Sequence, residues 1–421
     1  MFNNIIDEAN RCLVCKKARC QLKCPIDTPI PEIIQLIREG KPEEAGQVMF
    51  DNNPLSALCA IVCPHENQCK GNCIKGIKGE PIDFYKMEEI ISKEYLNDIQ
   101  IEPIDLNKDR IAIVGSGPAG LTISVILARR GYRVTLFESN EKIGGVLRYG
   151  IPDFRLPKDM LDRFHDLLIQ LGVKIRPNTL IGPVLTIDKL FNDGYKAIFI
   201  GTGVWNPKTL NIKGESLGNA HYAIDYLKSP SVYNLGDKVA VIGAGNTAMD
   251  SARTAKRNGV KDVTILYRRD FESMTATKHE IEDAKNEGIK FELFKSPTEI
   301  VDEGVILRST KNIIDDKGKE KLIELENVEE LFKCDSVIIA ISQTPKNNIT
   351  INNKGFKTIG NGLLEIGNTG ETSREGVFAS GDVVTGSKTV VEAVAHAKVV
   401  AESIDQYCNS HPYVADSRNQ F

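Results

Sequence analysis

The chain has 421 residues, 41% of them hydrophobic and 26% charged, which is enough for two or three domains with ordinary cores. A formal net charge of −4 offers no general attraction for nucleic acid or an anionic membrane, so neither partner is expected. The start, MFNNIIDEANRC, is acidic where a secretory signal would be basic and then apolar, and no run of about 18 apolar residues occurs, so a cytoplasmic protein is expected.

Residues 1–105 read as a small helical domain, with patterns such as PEIIQLIREGKPEEAGQVM and MEEIISKEYL and almost no alternating β-branched runs. This region holds eight of the ten cysteines. The first group, Cys12, Cys15, Cys20 and Cys24, is spaced C-x2-C-x4-C-x3-C and followed by Pro25; the second is Cys59, Cys63, Cys69 and Cys73, with Pro64 after Cys63. In a reducing compartment, clustered thiols are metal ligands or redox groups more often than disulfides. Short spacings let one turn of backbone wrap a cluster corner with its amides toward sulfide, and a Cys-Pro ending matches ferredoxin runs whose last cysteine serves the other cluster. Eight thiols suit two 4Fe-4S clusters. Structural zinc, which favours paired short spacings, is the alternative.

At Asp109 the grammar changes. RIAIVGSGPAGLTISVILARRGYRVTLFES reads as strand, glycine turn, helix and second strand, the opening of a doubly wound parallel sheet. Gly115, Gly117 and Gly120 supply the tight turn, the close pyrophosphate approach and the helix packing, Pro118 starts the helix, and Glu138 ends the next strand where it can accept ribose hydroxyls. The same pattern recurs in KVAVIGAGNTAMDSARTAKRNGVKDVTILYRRD, residues 238–270, with Ala248 at the third fingerprint position. Two such units suggest two nucleotides. Here Arg268 and Arg269 stand where an NAD-selective site would carry an acid; a guanidinium pair there can grip a 2'-phosphate, which favours NADPH, although exposed arginine pairs are often merely solvated.

Near the C-terminus, EGVFASGDVVTGSKTVVEAVAHAKVVAESI reads as strand, glycine turn and helix, so the second unit is expected as an insertion in the first domain. Asp382 lies where a carboxylate can meet a flavin's ribityl chain. The expected boundaries are 1–105 for the helical iron–sulfur domain, 106–235 with 342–421 for an FAD domain, and 236–341 for an NADPH domain. Cys334 and Cys408 stand alone and read as packing thiols, without the pair a flavin disulfide reductase needs. The six histidines are scattered, and no acid–base constellation stands out.

Taken together, these blocks resemble the glutamate synthase small (beta) subunit family, which includes the large subunit of ferredoxin:NADP transhydrogenase and the N-terminal half of dihydropyrimidine dehydrogenase. The resemblance is carried by the eight-cysteine order, NPLSALCAIVCPHENQC, GGVLRYGIPDFRLPK, GAGNTAMDSARTA and GVFASGDVVTGSKTVVEAV. It implies one cluster on Cys12, Cys15, Cys20 and Cys73 and another on Cys24, Cys63 and Cys69, with Cys59, Glu88 or Glu89 as the fourth ligand. For FAD it implies Gly115, Gly117, Gly120, Glu138, Gly145, Leu147, Arg148, Gly381, Asp382 and Thr389, with Gly201 and Gly203 near the flavin. For NADPH it implies Gly243, Gly245, Asn246, Thr247, Arg268 and Arg269. Ser342 and Ala397 depart from the family, which usually has glycine at each.

The resemblance implies an electron-transfer flavoprotein, an oxidoreductase subunit whose side chains orient cofactors and tune potentials. Electrons would run from NADPH through FAD and the two clusters to a larger catalytic subunit or a ferredoxin-type carrier, foremost a glutamate synthase large subunit. Electron input to dihydropyrimidine dehydrogenase, a bifurcating transhydrogenase and a non-turnover redox sensor or scaffold are the alternatives.

Overall fold

Ile30, Ile33, Ile34 and Ile37 recur at the spacing of one helix face, and Pro31 sits in the first turn, where a missing N–H costs nothing. In the computed structural model of the chain, which describes residues 2–102, 104–314 and 320–411, these isoleucines are buried on the helix Ile30–Arg38. They pack with Met49 of the helix Pro42–Asn52 and with Met87 and Ile91 of the helix Phe84–Asp98. Burying each such side chain contributes about 1.5–3 kcal/mol. The clustered cysteines lie on the loops and short helices around this core.

The chain divides into two compact units. One runs through Leu147, takes up Asp153–Val204 and resumes at Pro345; the other holds Arg148–Pro152 and Trp205–Thr344. The first contains a parallel sheet in the spatial order Val377–Ala379, Tyr195–Ile200, Arg110–Val114, Arg133–Phe137, Lys174–Arg176. Its central strand, Arg110–Val114, is the earliest in sequence, so the sheet grows in both directions from it; ligands of open sheets bind beyond strand ends at such a switch point. Because Val377–Ala379 joins this sheet from beyond the second unit, the second unit interrupts the first, as the sequence suggests. The helix Pro118–Arg129 buries Leu121, Ile123, Val125 and Leu127 completely, as a helix caged between a sheet and another helix must.

The second unit repeats the plan in the order Ala220–Tyr222, Ser336–Ile339, Lys238–Ile242, Asp262–Tyr267, Lys290–Leu293, again all parallel. The segment 205–235, expected with the first nucleotide domain, lies here instead. Ala220–Tyr222 covers the edge of Ser336–Ile339, which would otherwise expose its unpaired backbone, and Tyr226 of the helix Ala223–Lys228 is fully buried in this unit's core. A three-residue strand is too short to show an alternating pattern in the sequence. An antiparallel sheet of Lys295–Val301, Gly304–Ile314 and Glu320–Lys333 completes the unit.

Candidate functional site

The helix Ser56–Val62 carries Cys59 and ends at Cys63, and the helix Phe84–Asp98 carries Glu88. These three residues line one open cavity together with Cys24, Cys69 and Asn53. Glu88 is 8% exposed, and burial pushes its carboxyl up to about 8, so it ionises at neutral pH only if positive charge faces it. Its neighbour Glu89 is half-exposed and does not line the cavity. Hydrogen bonding to Cys59, then burial, and then repulsion from Cys59, Glu88 and Cys69 push the Cys63 thiol well up; burial, with Glu88 and Cys24, pushes Cys69 up. Such thiols ionise when a metal supplies the compensating charge. Asn53 is buried, its Nδ2 finds no partner among the described residues, and its Oδ1 accepts the Leu55 N–H at 2.9 Å. An unused amide donor in a sulfur-lined cavity suits an anionic cluster.

His65 also lines this cavity, stacked on Tyr85 with 4.3 Å between ring centres. Burial pushes it down to about 4, so the ring is neutral at pH 7. Its Nε2–H then donates to the Ala60 carbonyl at 2.9 Å, which leaves Nδ1 as an acceptor 3.6 Å from the Cys69 sulfur.

Cys12, Cys20 and Cys73 form a second group. Burial pushes the Cys20 thiol up to about 11, and Cys73 and Cys12 are near enough to add to the shift. The Val14 N–H points at the Cys12 sulfur from 3.5 Å and the Ile82 N–H at the Cys73 sulfur from 3.4 Å, the kind of contact that tunes iron–sulfur ligands. Cys15 is half-buried. Among the described residues no three His, Cys, Asp or Glu side chains converge on a single-ion site. Cys24, Cys59, Cys63 and Cys69 are spread around a cavity rather than gathered at a point, and this donor set fits a 4Fe-4S cluster.

In the first nucleotide turn, Gly115 has φ +100° and a Cβ there would lie 2.6 Å from the Gly201 carbonyl oxygen. A Cβ on Gly120 would lie 1.9 Å from the Gly115 oxygen, and one on Gly145 would lie 2.7 Å from the Gly117 Cα. These glycines therefore pack backbone on backbone at the start of the helix Pro118–Arg129, a cradle that side chains would fill. Glu138 is 4% exposed and accepts the Ser116 N–H at 3.1 Å and the Asn140 N–H at 2.7 Å. Leu147 is fully buried, whereas Arg148 falls in the second compact unit. Gly203 follows the strand Tyr195–Ile200.

Gly381 and Asp382 follow the strand Val377–Ala379, and burial pushes the Asp382 carboxyl up to about 6 against one backbone donor, Lys388 N–H at 3.2 Å. Ser380 beside them is fully buried, and its hydroxyl has no partner among the described residues. These unspent polar groups fit a flavin. Thr389 caps the helix Val390–Ser410 in a reciprocal capping box with Glu392. Two residues past that cap, Val391 lines the cavity of Cys24, Cys63 and Cys69.

In the second turn, Gly243 has φ +136° and a Cβ on it would lie 2.3 Å from the Ala340 oxygen. Gly245 precedes the helix Asn246–Arg257, which Asn246 and Thr247 begin. The Asn246 Oδ1 accepts the Thr277 N–H at 3.1 Å, tying a neighbouring loop to the turn. Arg268 is exposed, Arg269 is half-buried, and neither makes an ion pair among the described residues. The Thr310 hydroxyl donates to the Arg268 carbonyl at 2.6 Å and fixes this strand end.

Residues 109–397 match the pyridine nucleotide-disulphide oxidoreductase family, and residues 2–99 match the dihydropyrimidine dehydrogenase domain II, 4Fe-4S cluster family. The glutamate synthase (NADPH) small chain of Escherichia coli is 30% identical over 94% of this chain and 90% of its own length. The chain belongs to the glutamate synthase small-chain family. Like this family, it is an NADPH-dependent flavin oxidoreductase with FAD, NADP and 4Fe-4S domains. The beta subunit of the NADP(+)-dependent formate dehydrogenase of Moorella thermoacetica is 32% identical over 93% of this chain and 60% of its own length. Mycobacterium tuberculosis FprA in complex with NADPH shares the fold, with a TM-score of 0.62 and 16% identity over 72% of this chain and 85% of that one.

Reading the sequence of this small-chain family member alone misses His65, Asn53, Val391 and Thr310 as site neighbours. His65 carried a signal, standing between Pro64 and the next cysteine. Thr310 carried none, because its contact joins a strand of one sheet to the residue just past a strand of another, 42 positions away in the chain.

Proposed function

We propose that the chain passes electrons from NADPH through FAD and two 4Fe-4S clusters to a glutamate synthase large subunit. One observation carries the reading. The helix Val390–Ser410 is capped by Thr389, seven residues after the Asp382 expected at the flavin, and its Val391 borders the cavity of Cys24, Cys63 and Cys69. One rigid element thus adjoins both an expected flavin contact and the inner sulfurs. The match covers 90% of the glutamate synthase relative's own length and 60% of the formate dehydrogenase subunit's, which favours this partner.

When bound, NADPH supplies a hydride, FAD exchanges electron pairs for single electrons, and the clusters carry single electrons. The chain's own residues hold and orient. Gly115, Gly117, Pro118 and Gly120 leave amides open to a pyrophosphate, with Glu138 on the ribose and Gly145, Leu147, Arg148, Gly201, Gly203, Gly381, Asp382 and Thr389 around the flavin. Gly243, Gly245, Asn246 and Thr247 take the second pyrophosphate, and Arg268 and Arg269 take the 2'-phosphate. Cys12, Cys15, Cys20 and Cys73 hold an outer cluster; Cys24, Cys63, Cys69 and Glu88 hold an inner one. We favour Glu88 over Cys59 because Glu88 is a carboxylate buried in the lining of the cavity of Cys24, Cys63 and Cys69, where it has no ordinary reason to stand without a positive group beside it. Eight thiols clustered as cluster ligands are suited to a reducing, cytoplasmic setting, which supports that location.

The test is an anaerobic titration with NADPH and then NADH, following flavin and cluster absorbance, with iron, sulfide and zinc analysis. The expected result is about eight irons per chain and prompt bleaching by NADPH in preference to NADH. Zinc in place of iron, or no flavin reduction by either nucleotide, would overturn the reading.

A further inference from the structure

Leu13, Leu22, Ile74 and Ile77 are 63, 70, 43 and 62% exposed. Leu13 follows Cys12, Leu22 stands two residues past Cys20, Ile74 follows Cys73, and Ile77 ends the same short helix, Ile74–Ile77. Because Cys12, Cys20 and Cys73 are close neighbours, three segments bring these aliphatic side chains around one group of sulfurs. Single exposed aliphatics are ordinary, but several around one redox centre mark a contact surface.

The same segments are basic. Lys16, Lys17, Arg19 and Lys23 fall between Cys12 and Cys24 with no acid among them, and Lys75 and Lys78 follow Cys73. None of the six makes an ion pair among the described residues, whereas nearby Arg11, Lys70 and Lys86 are paired with Glu8 and Asp83. In a chain of net charge −4, this is a local reversal of sign, with Asp27 and Glu80 at its margins.

We infer that this face docks an electron-accepting protein whose apolar contact patch is ringed by aspartate and glutamate. An apolar centre with a charged rim is the anatomy of a protein interface, and unpaired cations at the rim steer an acidic partner and set its register. The inference rests on the proposed electron route, in which the outer cysteines hold the last cluster. Each NADPH gives up two electrons and releases one proton as it becomes NADP+, so it reduces two one-electron acceptors.

The test uses the full, cluster-loaded chain and three acceptors: acidic cytochrome b5, basic cytochrome c, and uncharged menadione. The Lys16→Glu, Lys17→Glu, Lys23→Glu variant should reduce cytochrome b5 about tenfold more slowly at low salt, while cytochrome c reduction does not fall. Its menadione rate, iron content and cluster EPR spectrum should match those of the parent. If the variant loses iron, the parent protein still decides: its cytochrome b5 rate should drop steeply as ionic strength rises from about 0.02 to about 0.3 M, and its menadione rate should not. A cytochrome b5 rate indifferent to both charge reversal and salt would overturn the docking site while leaving the electron route intact. So would charge-dependent capture by phosphatidylserine vesicles without any charge effect on cytochrome b5. Failure of the parent to reduce menadione with NADPH would sink the route itself, and the docking proposal with it.

Discussion

The two nucleotide units share the geometry of one turn and differ in the residues around it. Gly115 and Gly243 each follow the central strand at positive φ, and a Cβ on either would strike the carbonyl of the residue just past the neighbouring strand, Gly201 in one and Ala340 in the other. The third fingerprint position differs: Gly120 in the first unit, a fully buried Ala248 in the second. So does the end of the second strand, where the first unit has a buried Glu138 engaged by backbone N–H groups and the second has Arg268 and Arg269 without ion-pair partners among the described residues. The turn is shared because a pyrophosphate is held by close-packed backbone and a helix start whatever else the ligand carries. The residues expected to read the identity of the nucleotide stand one strand away.

The sharpest way to break this comparison is to exchange the third position. Gly120→Ala puts a Cβ 1.9 Å from the Gly115 oxygen, so the helix Pro118–Arg129 must back away from its own turn. The overpacking should cost about 1–3 kcal/mol and strip most of the flavin from the purified protein, read from its visible absorbance against protein concentration. Ala248→Gly in the second unit removes a methyl and costs about 1 kcal/mol of helix propensity, with flavin content and NADPH affinity retained. Equal tolerance at both sites would mean that the two helices stand equally far from their turns.

A smaller effect separates the strand ends. Replacing Arg268 and Arg269 with alanine should raise the KM for NADPH about 10- to 100-fold, the range expected for losing charge-assisted hydrogen bonds to a phosphate. The KM for NADH should change by no more than roughly threefold, since exposed arginines contribute little without a partner. Steady-state reduction of menadione by each nucleotide measures both. Equal losses would remove the distinction between the acid-ended and the arginine-ended strand.

What the sequence made legible follows from how local each signal is. Glycine turns, the strands around them and the cysteine runs are set by residues within a dozen positions, and both parallel sheets, with the second interrupting the first, follow from them. Ala220–Tyr222 escaped because its role is to cover an edge created by Ser336–Ile339, more than a hundred residues later. Spacing alone could not show that Cys59 and Glu88, from two different helices, line the same cavity as Cys24, Cys63 and Cys69. The charge around the outer cysteines was present in the sequence, hidden by a balanced total; exposure and missing ion pairs made it visible.

The least effect is expected where both units turn at positive φ with different residues. Three positions past the strand Tyr195–Ile200 stands Gly203 at φ +66°, and three past Ser336–Ile339 stands Ser342 at φ +117°. The Ser342 carbonyl accepts the Lys208 N–H at 3.1 Å, so this bend is held by the chain, while its side chain is exposed. An L-residue in this region carries a steric cost of about 1–2 kcal/mol that glycine avoids, partly offset by glycine's greater freedom in the unfolded chain. Ser342→Gly should therefore stabilise the protein by about 1 kcal/mol, read as a higher thermal midpoint at unchanged cofactor content and unchanged KM for NADPH. A lower midpoint would mean that the serine hydroxyl holds the bend more strongly than its backbone angle strains it, and the two units would then share a shape reached by different means.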